Sequence, residues 1–154
     1  MGFSEAVRTC LKLKYATFQG RASRSEYWYF LLFVMIVALV LSGLGFALIG
    51  GTGGFEAMQD GDSMPVGAML LFGIVGIFYL AILLPSIAVG VRRFHDRNLS
   101  GWYYLLAIVL GVVPFVGFLA SIAAFVITVL KGTEGPNKFG RDPLGPEHSA
   151  DVFN

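Results

Sequence analysis

Long stretches without a charged residue are the feature that most constrains how this chain folds. Residues 27–55, 63–91 and 98–130 contain no Asp, Glu, Lys or Arg, so these stretches run for 29, 29 and 33 residues. A helix needs about 20 apolar residues to cross a hydrocarbon layer of roughly 30 Å. A charge at the centre of the layer costs on the order of 3 kcal/mol. Each stretch is therefore long enough for at least one membrane-spanning helix.

Turn-forming residues divide these stretches into four predicted hydrophobic helices. A glycine-rich run ends the first, at about 24–50, and two arginines end the second, at about 66–91. Glycine and proline interrupt the third stretch near its centre, so it forms either one long helix or a hairpin. We predict a short hairpin that turns near Pro114, with arms at about 101–113 and 115–130.

The distribution of charge predicts the orientation and favours the hairpin. Residues 1–26 carry five basic and two acidic side chains, and residues 92–97 carry three basic and one acidic. Residues 51–65 carry three acidic side chains and no basic one. Because basic segments stay on the cytoplasmic side, we expect a multi-pass protein of the bacterial inner (plasma) membrane. Only a hairpin places the basic residues after position 130 on that side, so both termini are predicted to be cytoplasmic.

The predicted fold class is all-α: a polytopic transmembrane bundle preceded by an amphipathic helix over residues 1–19. In that first segment one helical face is apolar, formed by Phe3, Val7, Cys10, Leu11 and Phe18. Such a helix lies on the cytoplasmic leaflet or packs against the protein itself. Residues 20–142 form the predicted transmembrane domain, and 143–154 a flexible cytoplasmic tail.

Three polar motifs border the uncharged stretches and are predicted to meet on one side of the membrane. They read GRASRSEYW at 20–28, RRFHDRNLSGW at 92–102 and KGTEGPNKFGRDP at 131–143. In their order and spacing these motifs resemble the bacterial inner-membrane family catalogued as domain of unknown function 805, over about residues 15–143. The resemblance implies a small polytopic membrane protein and brings no activity with it.

Eight basic residues of the motifs form a candidate face for anionic lipid headgroups or a protein partner, because arginine matches phosphate and carboxylate groups well. They are Arg21, Arg24, Arg92, Arg93, Arg97, Lys131, Lys138 and Arg141. The alternative is that they anchor the chain and pair with Glu26 and Asp96. A second set of motif residues is assigned a structural role: Ser23, Glu26, Trp28, His95, Asp96, Ser100, Gly101, Trp102, Asn137 and Gly140. Within it, Ser23 and Glu26 fit a helix-capping box, and Ser100 is a candidate helix cap.

Catalytic chemistry is weakly supported by the sequence. His95 beside Asp96 resembles a general base for a lipid-directed enzyme, but adjacent helical residues point about 100° apart. We expect Asp96 to pair with a nearby arginine instead. No catalytic residue, metal ligand set or cofactor motif is assigned.

The predicted function is that of a non-enzymatic inner-membrane protein of unknown role with a basic cytoplasmic face. Membrane lipids are the expected partners, with a membrane or cytoplasmic protein as a further candidate, and nucleic acid is not expected because the net charge is +1. The alternative is a small oligomeric transporter or channel subunit. Pairs of small residues four apart suit helix packing within the chain or in a homo-oligomer.

Overall fold

The structure, a computed structural model, describes residues 1–51, 53–54, 56 and 66–145. Within this part the regular structure is helical, and the only β-type pairing is an isolated bridge between Asn137 and Gly140. The acidic loop predicted at 51–65 lies largely outside the described residues, and so does most of the tail predicted at 143–154.

A short N-terminal helix, α1, spans Phe3–Arg8 and continues as a π-helical segment over Thr9–Leu13. The Gly2 N–H donates to the Glu5 carboxylate at 3.1 Å, which caps the first turn. The prediction of a helix over residues 1–19 was therefore wrong in extent. The chain leaves helical geometry at Lys14, where φ is −131° and ψ is 37°.

The buried face of α1 and its continuation also differs from the predicted apolar face. Ala6, Thr9 and Cys10 are buried, whereas Phe3 and Phe18 are exposed. Small side chains allow close approach to the rest of the chain, so this segment packs against the protein through Ala6 and Cys10.

Two long helices follow: α2 over Arg24–Gly51 and α3 over Val66–Asp96. By length and composition, both are apolar enough to cross a membrane. Helix α3 continues through Pro85 and ends at Asp96, five residues beyond the predicted end at 91. The arginines expected to end the helix lie on it instead, because their side chains are buried and paired with other parts of the chain.

The third uncharged stretch contains two short helices, α4 over Trp102–Leu110 and α5 over Val116–Val129. Between them the Val116 N–H donates to the Pro114 carbonyl at 2.8 Å, and Phe115 adopts a φ of +66°. Proline lacks an N–H and cannot continue the hydrogen bonding of α4, so the chain reverses there.

The first of these helices begins one residue later than predicted. Gly101 occupies the N-cap position, with no side-chain cap. Ser100 contributes only its carbonyl, which accepts from the Tyr103 N–H at 3.1 Å. The prediction that the Ser100 side chain caps this helix was therefore wrong.

The described chain divides into two compact units. One comprises Met1–Leu31 with the described chain from Leu84 onwards, and the other is Leu32–Leu83. The second contains residues 32–51 of α2 and residues 66–83 of α3, where most large apolar side chains are exposed. An exposed apolar surface of this extent is typical of contact with lipid. The first unit contains the motif residues.

Candidate functional site

An ion pair joins the start of α2 to the last turns of α3. Glu26 lies in the first turn of α2, and its Oε1 accepts a hydrogen bond from Arg92 Nη1 on α3. Both side chains are almost fully buried. Removing an ion from water costs several kcal/mol, so a buried charge persists only when it is paired and hydrogen-bonded. The pair therefore holds the two helix ends at a fixed separation.

Ser23 and Cys10 complete the surroundings of this ion pair. The Ser23 hydroxyl accepts from the Glu26 N–H at 3.2 Å, which caps α2 as predicted. The Glu26 carboxylate, which a capping box would direct back towards Ser23, pairs with Arg92 instead. Cys10 Sγ lies 3.9 Å from Glu26 Oε1 and 4.0 Å from Arg92 Nη2. Burial is the main reason that the pKa of the Cys10 thiol rises to about 11, and the nearby Glu26 carboxylate adds to it.

A second buried cluster is centred on Asp96, the last residue of α3. Its Oδ1 accepts from Arg21 Nε at 2.9 Å, and its Oδ2 accepts from Arg93 Nη1. The three side chains are at most 4% exposed. The expected pairing of Asp96 with a nearby arginine is thus present, with two arginines rather than one. We refer to Arg21, Glu26, Arg92, Arg93 and Asp96 as the buried charged cluster.

The remaining donors of two cluster arginines bind backbone carbonyls of the third motif and the helix before it. Arg93 donates to the carbonyls of Thr128 at 3.1 Å and of Leu130. Arg21 donates to the carbonyls of Thr133 at 2.5 Å and Gly135 at 2.6 Å. The last carbonyls of a helix have no partner within it. Arg93 satisfies two of these groups at the end of α5, and Arg21 extends the same role into the following segment.

The segment after α5 binds back to the end of α3. The Thr133 N–H and hydroxyl both donate to the Asp96 carbonyl, at 2.8 and 3.0 Å. Asn137 Nδ2 donates to the His95 carbonyl at 2.9 Å, and the Asn137 backbone pairs with Gly140, whose φ is +136°. These bonds satisfy the terminal carbonyls of α3, so residues of the third motif cap the end of this helix, which belongs to the second motif.

His95 is held by stacking and by one backbone carbonyl. Its Nδ1 lies 3.1 Å from the Gly20 carbonyl oxygen, and its ring stacks on Phe139 with centroids 3.9 Å apart. Asp96 directs both carboxylate oxygens to arginines and does not orient the imidazole. The geometry therefore assigns His95 to packing between the first and third motifs.

The eight basic residues predicted as one face separate into three buried, one half-buried and four exposed residues. Arg21, Arg92 and Arg93 are buried and bind within the protein, so they are not available to a headgroup. Arg97 is half-buried and donates to the Lys131 carbonyl. The exposed members are Arg24, Lys131, Lys138 and Arg141. Lys131 Nζ lies 2.5 Å from Glu134 on the surface, and Lys138 Nζ lies 5.0 Å from the Phe139 ring centroid.

The aromatic and glycine residues of the motifs contact neighbouring helices or face outwards. Trp28 packs edge-on against Phe125 of α5, with centroids 5.7 Å apart, whereas Trp102 is 76% exposed. Gly101 is buried against Val91, and a Cβ there would lie 2.5 Å from Val91 Cγ1. Within the described ranges, no three His, Cys, Asp or Glu residues are placed to hold a metal ion.

Several residues of the site were not singled out from the sequence. Thr133 caps α3, and Gly132 lies against Asp96, although both belong to the third motif. Cys10 contacts the buried charged cluster from outside the motifs. The sequence placed Cys10 on an apolar helical face among larger side chains, and nothing in that pattern indicated a contact with Glu26 and Arg92.

Together, the apolar helices and the buried charged cluster at their ends define a small helical membrane protein. The chain belongs to the family described as Protein of unknown function (DUF805), whose sequence profile matches residues 15–141. That match covers all three motifs except the last two residues of the third.

Two curated relatives have names that agree with the membrane assignment. Inner membrane protein YhaH of Escherichia coli K12 is 36% identical over 133 residues, covering 84% of this chain and 88% of the relative. Inner membrane protein YhaI of the same strain is 34% identical over 129 residues, covering 84% and 87%. Uncharacterized protein YiiR of the same strain is 29% identical over an alignment that is 168 positions long with its gaps, covering 88% of this chain and 91% of the relative. No solved structure matches this chain.

Proposed function

We propose that this chain is a non-enzymatic inner-membrane protein whose motifs lock its helix ends together on the cytoplasmic side and contact anionic lipid there. The observation that carries the proposal is the division of the basic residues. Three arginines are buried in the charged cluster and bind within the protein, whereas four further cations of the same motifs are exposed. The first group gives rigidity, and the second gives a surface for anions.

The contacts of the buried charged cluster support a topology with both termini on one side. Arg21 precedes α2, Asp96 ends α3, and Thr133 follows α5, yet all three are in contact. The positive-inside rule places such a basic region in the cytoplasm.

The last two helices suit a re-entrant hairpin. With 9 and 14 residues, α4 and α5 extend about 14 and 21 Å at 1.5 Å per residue. Both are shorter than a hydrocarbon layer of roughly 30 Å. The hairpin therefore enters and leaves the membrane on the same side.

Accessibility of introduced thiols tests this topology. Lys138→Cys and Glu56→Cys are made separately in a Cys10→Ala background and labelled with a membrane-impermeant maleimide on intact cells and on inverted vesicles. We expect Lys138→Cys to react only in inverted vesicles and Glu56→Cys only in intact cells. Reaction of Lys138→Cys in intact cells would overturn the topology.

The exposed cations favour anionic lipid as the contact. Arg24, Lys131, Lys138 and Arg141 are exposed. The cavity of about 230 Å³ that Arg24 and Lys131 line also contains Asp96, Glu134 and Asp142, so we assign the lipid contact to the exposed surface and not to this cavity. Each Lys or Arg near an anionic membrane surface contributes about 1 kcal/mol of attraction. Arginine also binds phosphate through two parallel hydrogen bonds.

Native mass spectrometry with phosphatidylglycerol, and with phosphatidylcholine of the same acyl chains, tests lipid contact. The variant Arg24→Gln/Lys138→Gln is compared with Arg8→Gln/Lys12→Gln, which removes the same charge from the N-terminal segment. We expect preferential retention of phosphatidylglycerol by the wild type, and a several-fold loss only in the first variant. Equal loss in both variants would mean that net charge, and not this surface, retains the lipid.

A further inference from the structure

An apolar groove lies between the two arms of the hairpin. Its volume is about 310 Å³, near the lower end of the roughly 300–1,000 Å³ typical of ligand clefts, and its lining is almost wholly apolar. Ala107 of α4 faces Ala120 and Ala124 of α5 across it. The small side chains leave room for a narrow apolar occupant between helices that touch elsewhere.

Two cations stand just beyond the helix ends that contribute to this groove. Phe94 in the last turn of α3 and Ile127 in the last turn of α5 line it, and Arg97 and Lys131 follow where these helices have ended. Arg97 Nη1 donates to the Lys131 carbonyl, which keeps the two residues together. We refer to Arg97 and Lys131 as the rim, since they follow the helix ends that contribute Phe94 and Ile127 to the groove.

Glu134, the present partner of Lys131, would compete only weakly with a phosphate for this lysine. Its ion pair with Glu134 is formed by side chains that are 66% and 79% exposed. Exposed ion pairs contribute little, because water and salt screen the two charges. A phosphate held by both Arg97 and Lys131 would gain charge-assisted hydrogen bonds that are about twice as strong as neutral ones.

We infer that the hairpin binds one anionic diacyl phospholipid, with an acyl chain in the groove and its phosphate between Arg97 and Lys131. Tyr103 also lines the groove and lies in the first turn of α4, as expected for an aromatic residue at the headgroup level. The inference rests on the proposed contact with anionic lipid and adds a defined site to it.

Three variants separate the parts of the site in native mass spectrometry with phosphatidylglycerol. Ala124→Leu fills the groove with three additional carbons. Ile122→Phe adds the same number of carbons at a residue that does not line the groove, and serves as the matched control. Arg97→Gln/Lys131→Gln removes the rim. We expect one tightly retained lipid in the wild type and in Ile122→Phe, and roughly tenfold weaker retention in the other two.

The outcomes distinguish this site from the broader proposal. Retention by Ala124→Leu equal to that of the control would overturn the inference, and a change in its oligomeric mass alone would assign the groove to a second copy of the chain. If Ala124→Leu and the rim variant bind normally while Arg24→Gln/Lys138→Gln does not, the groove site is wrong and the proposed function stands. Equal binding of phosphatidylcholine by the wild type would end both.

Discussion

Gly132 lies against the side chain of Asp96 so closely that a Cβ at position 132 would overlap the carboxylate group. The chain leaving α5 therefore passes directly over the residue that ends α3. A glycine permits this approach because it has no side chain. The contact explains how a third segment reaches a carboxylate that two arginines already hold.

Substitution of Gly132 by alanine is predicted to destabilise the protein. The new methyl group forces Asp96 or the backbone to move, and overpacking of this kind costs about 1–3 kcal/mol. Gly43→Ala is the control, since nothing lies within 4 Å of its Cβ position. SDS-induced unfolding of purified protein measures both. A Gly132→Ala variant as stable as Gly43→Ala would contradict the close contact.

The packing of α4 on α3 gives a second prediction, at Gly90. A Cβ at this position would overlap the ring of Tyr104 on α4, so Gly90→Ala should displace the hairpin and lower stability by about 1–3 kcal/mol. On the same helix Gly76 has open space, and Gly76→Ala should be neutral or stabilising, since alanine favours helix by up to about 1 kcal/mol. Unfolding of the two variants in parallel tests the packing, and equal stability would refute it.

The buried Cys10 thiol should be unreactive in the folded protein. Its pKa of about 11 leaves almost no thiolate at pH 8, and the thiolate is the nucleophile. Iodoacetamide should therefore label Cys10 only after denaturation. Thr17→Cys in a Cys10→Ala background places a thiol at an exposed position and should react at pH 8 without denaturant. Labelling of native Cys10 at a similar rate would show that the thiol is accessible.

The same raised pKa predicts a loss of stability in alkali. The unfolded thiol ionises near pH 9.0 and the folded thiol near pH 11, so between these values the unfolded state holds fewer protons. Stability from the neutral thiol is complete below pH 9 and declines as pH rises towards 11. Cys10→Ala should show a smaller decline over this window in unfolding experiments. An identical pH profile for wild type and variant would exclude the contribution.

Charge-free length predicted α2 and α3, and the break at Pro114 predicted the reversal between α4 and α5, because these features depend on local chemistry and on the thickness of a membrane. The pairing of Asp96 with arginine was also predictable, since a carboxylate beside three arginines has few other partners. The end of α3 was not. A run of basic residues usually indicates the end of a membrane span. Here the helix continues through Arg92 and Arg93, because Arg92 pairs with Glu26 and Arg93 donates to backbone carbonyls.

Which basic residues are buried and which are exposed could not be predicted from the sequence either. Arg21 and Arg24 stand in the same motif with the same nominal role, yet Arg21 is 5% exposed and Arg24 lies on the surface. Burial depends on which carbonyls reach the guanidinium, here those of Thr133 and Gly135. Such partners come from segments more than 100 residues away, and no local pattern reveals them.

The ion pair between Glu26 and Arg92 tests most directly whether buried charges hold the helix ends together. The unfolding free energies of Glu26→Gln, Arg92→Met and the double variant form a double-mutant cycle, with Lys131→Gln and Glu134→Gln as an exposed control pair. Each buried single variant should lose about 3–5 kcal/mol, and the double variant much less than their sum, whereas the exposed pair should show little or no coupling. Additive losses at Glu26 and Arg92, with coupling no greater than in the control pair, would contradict the account.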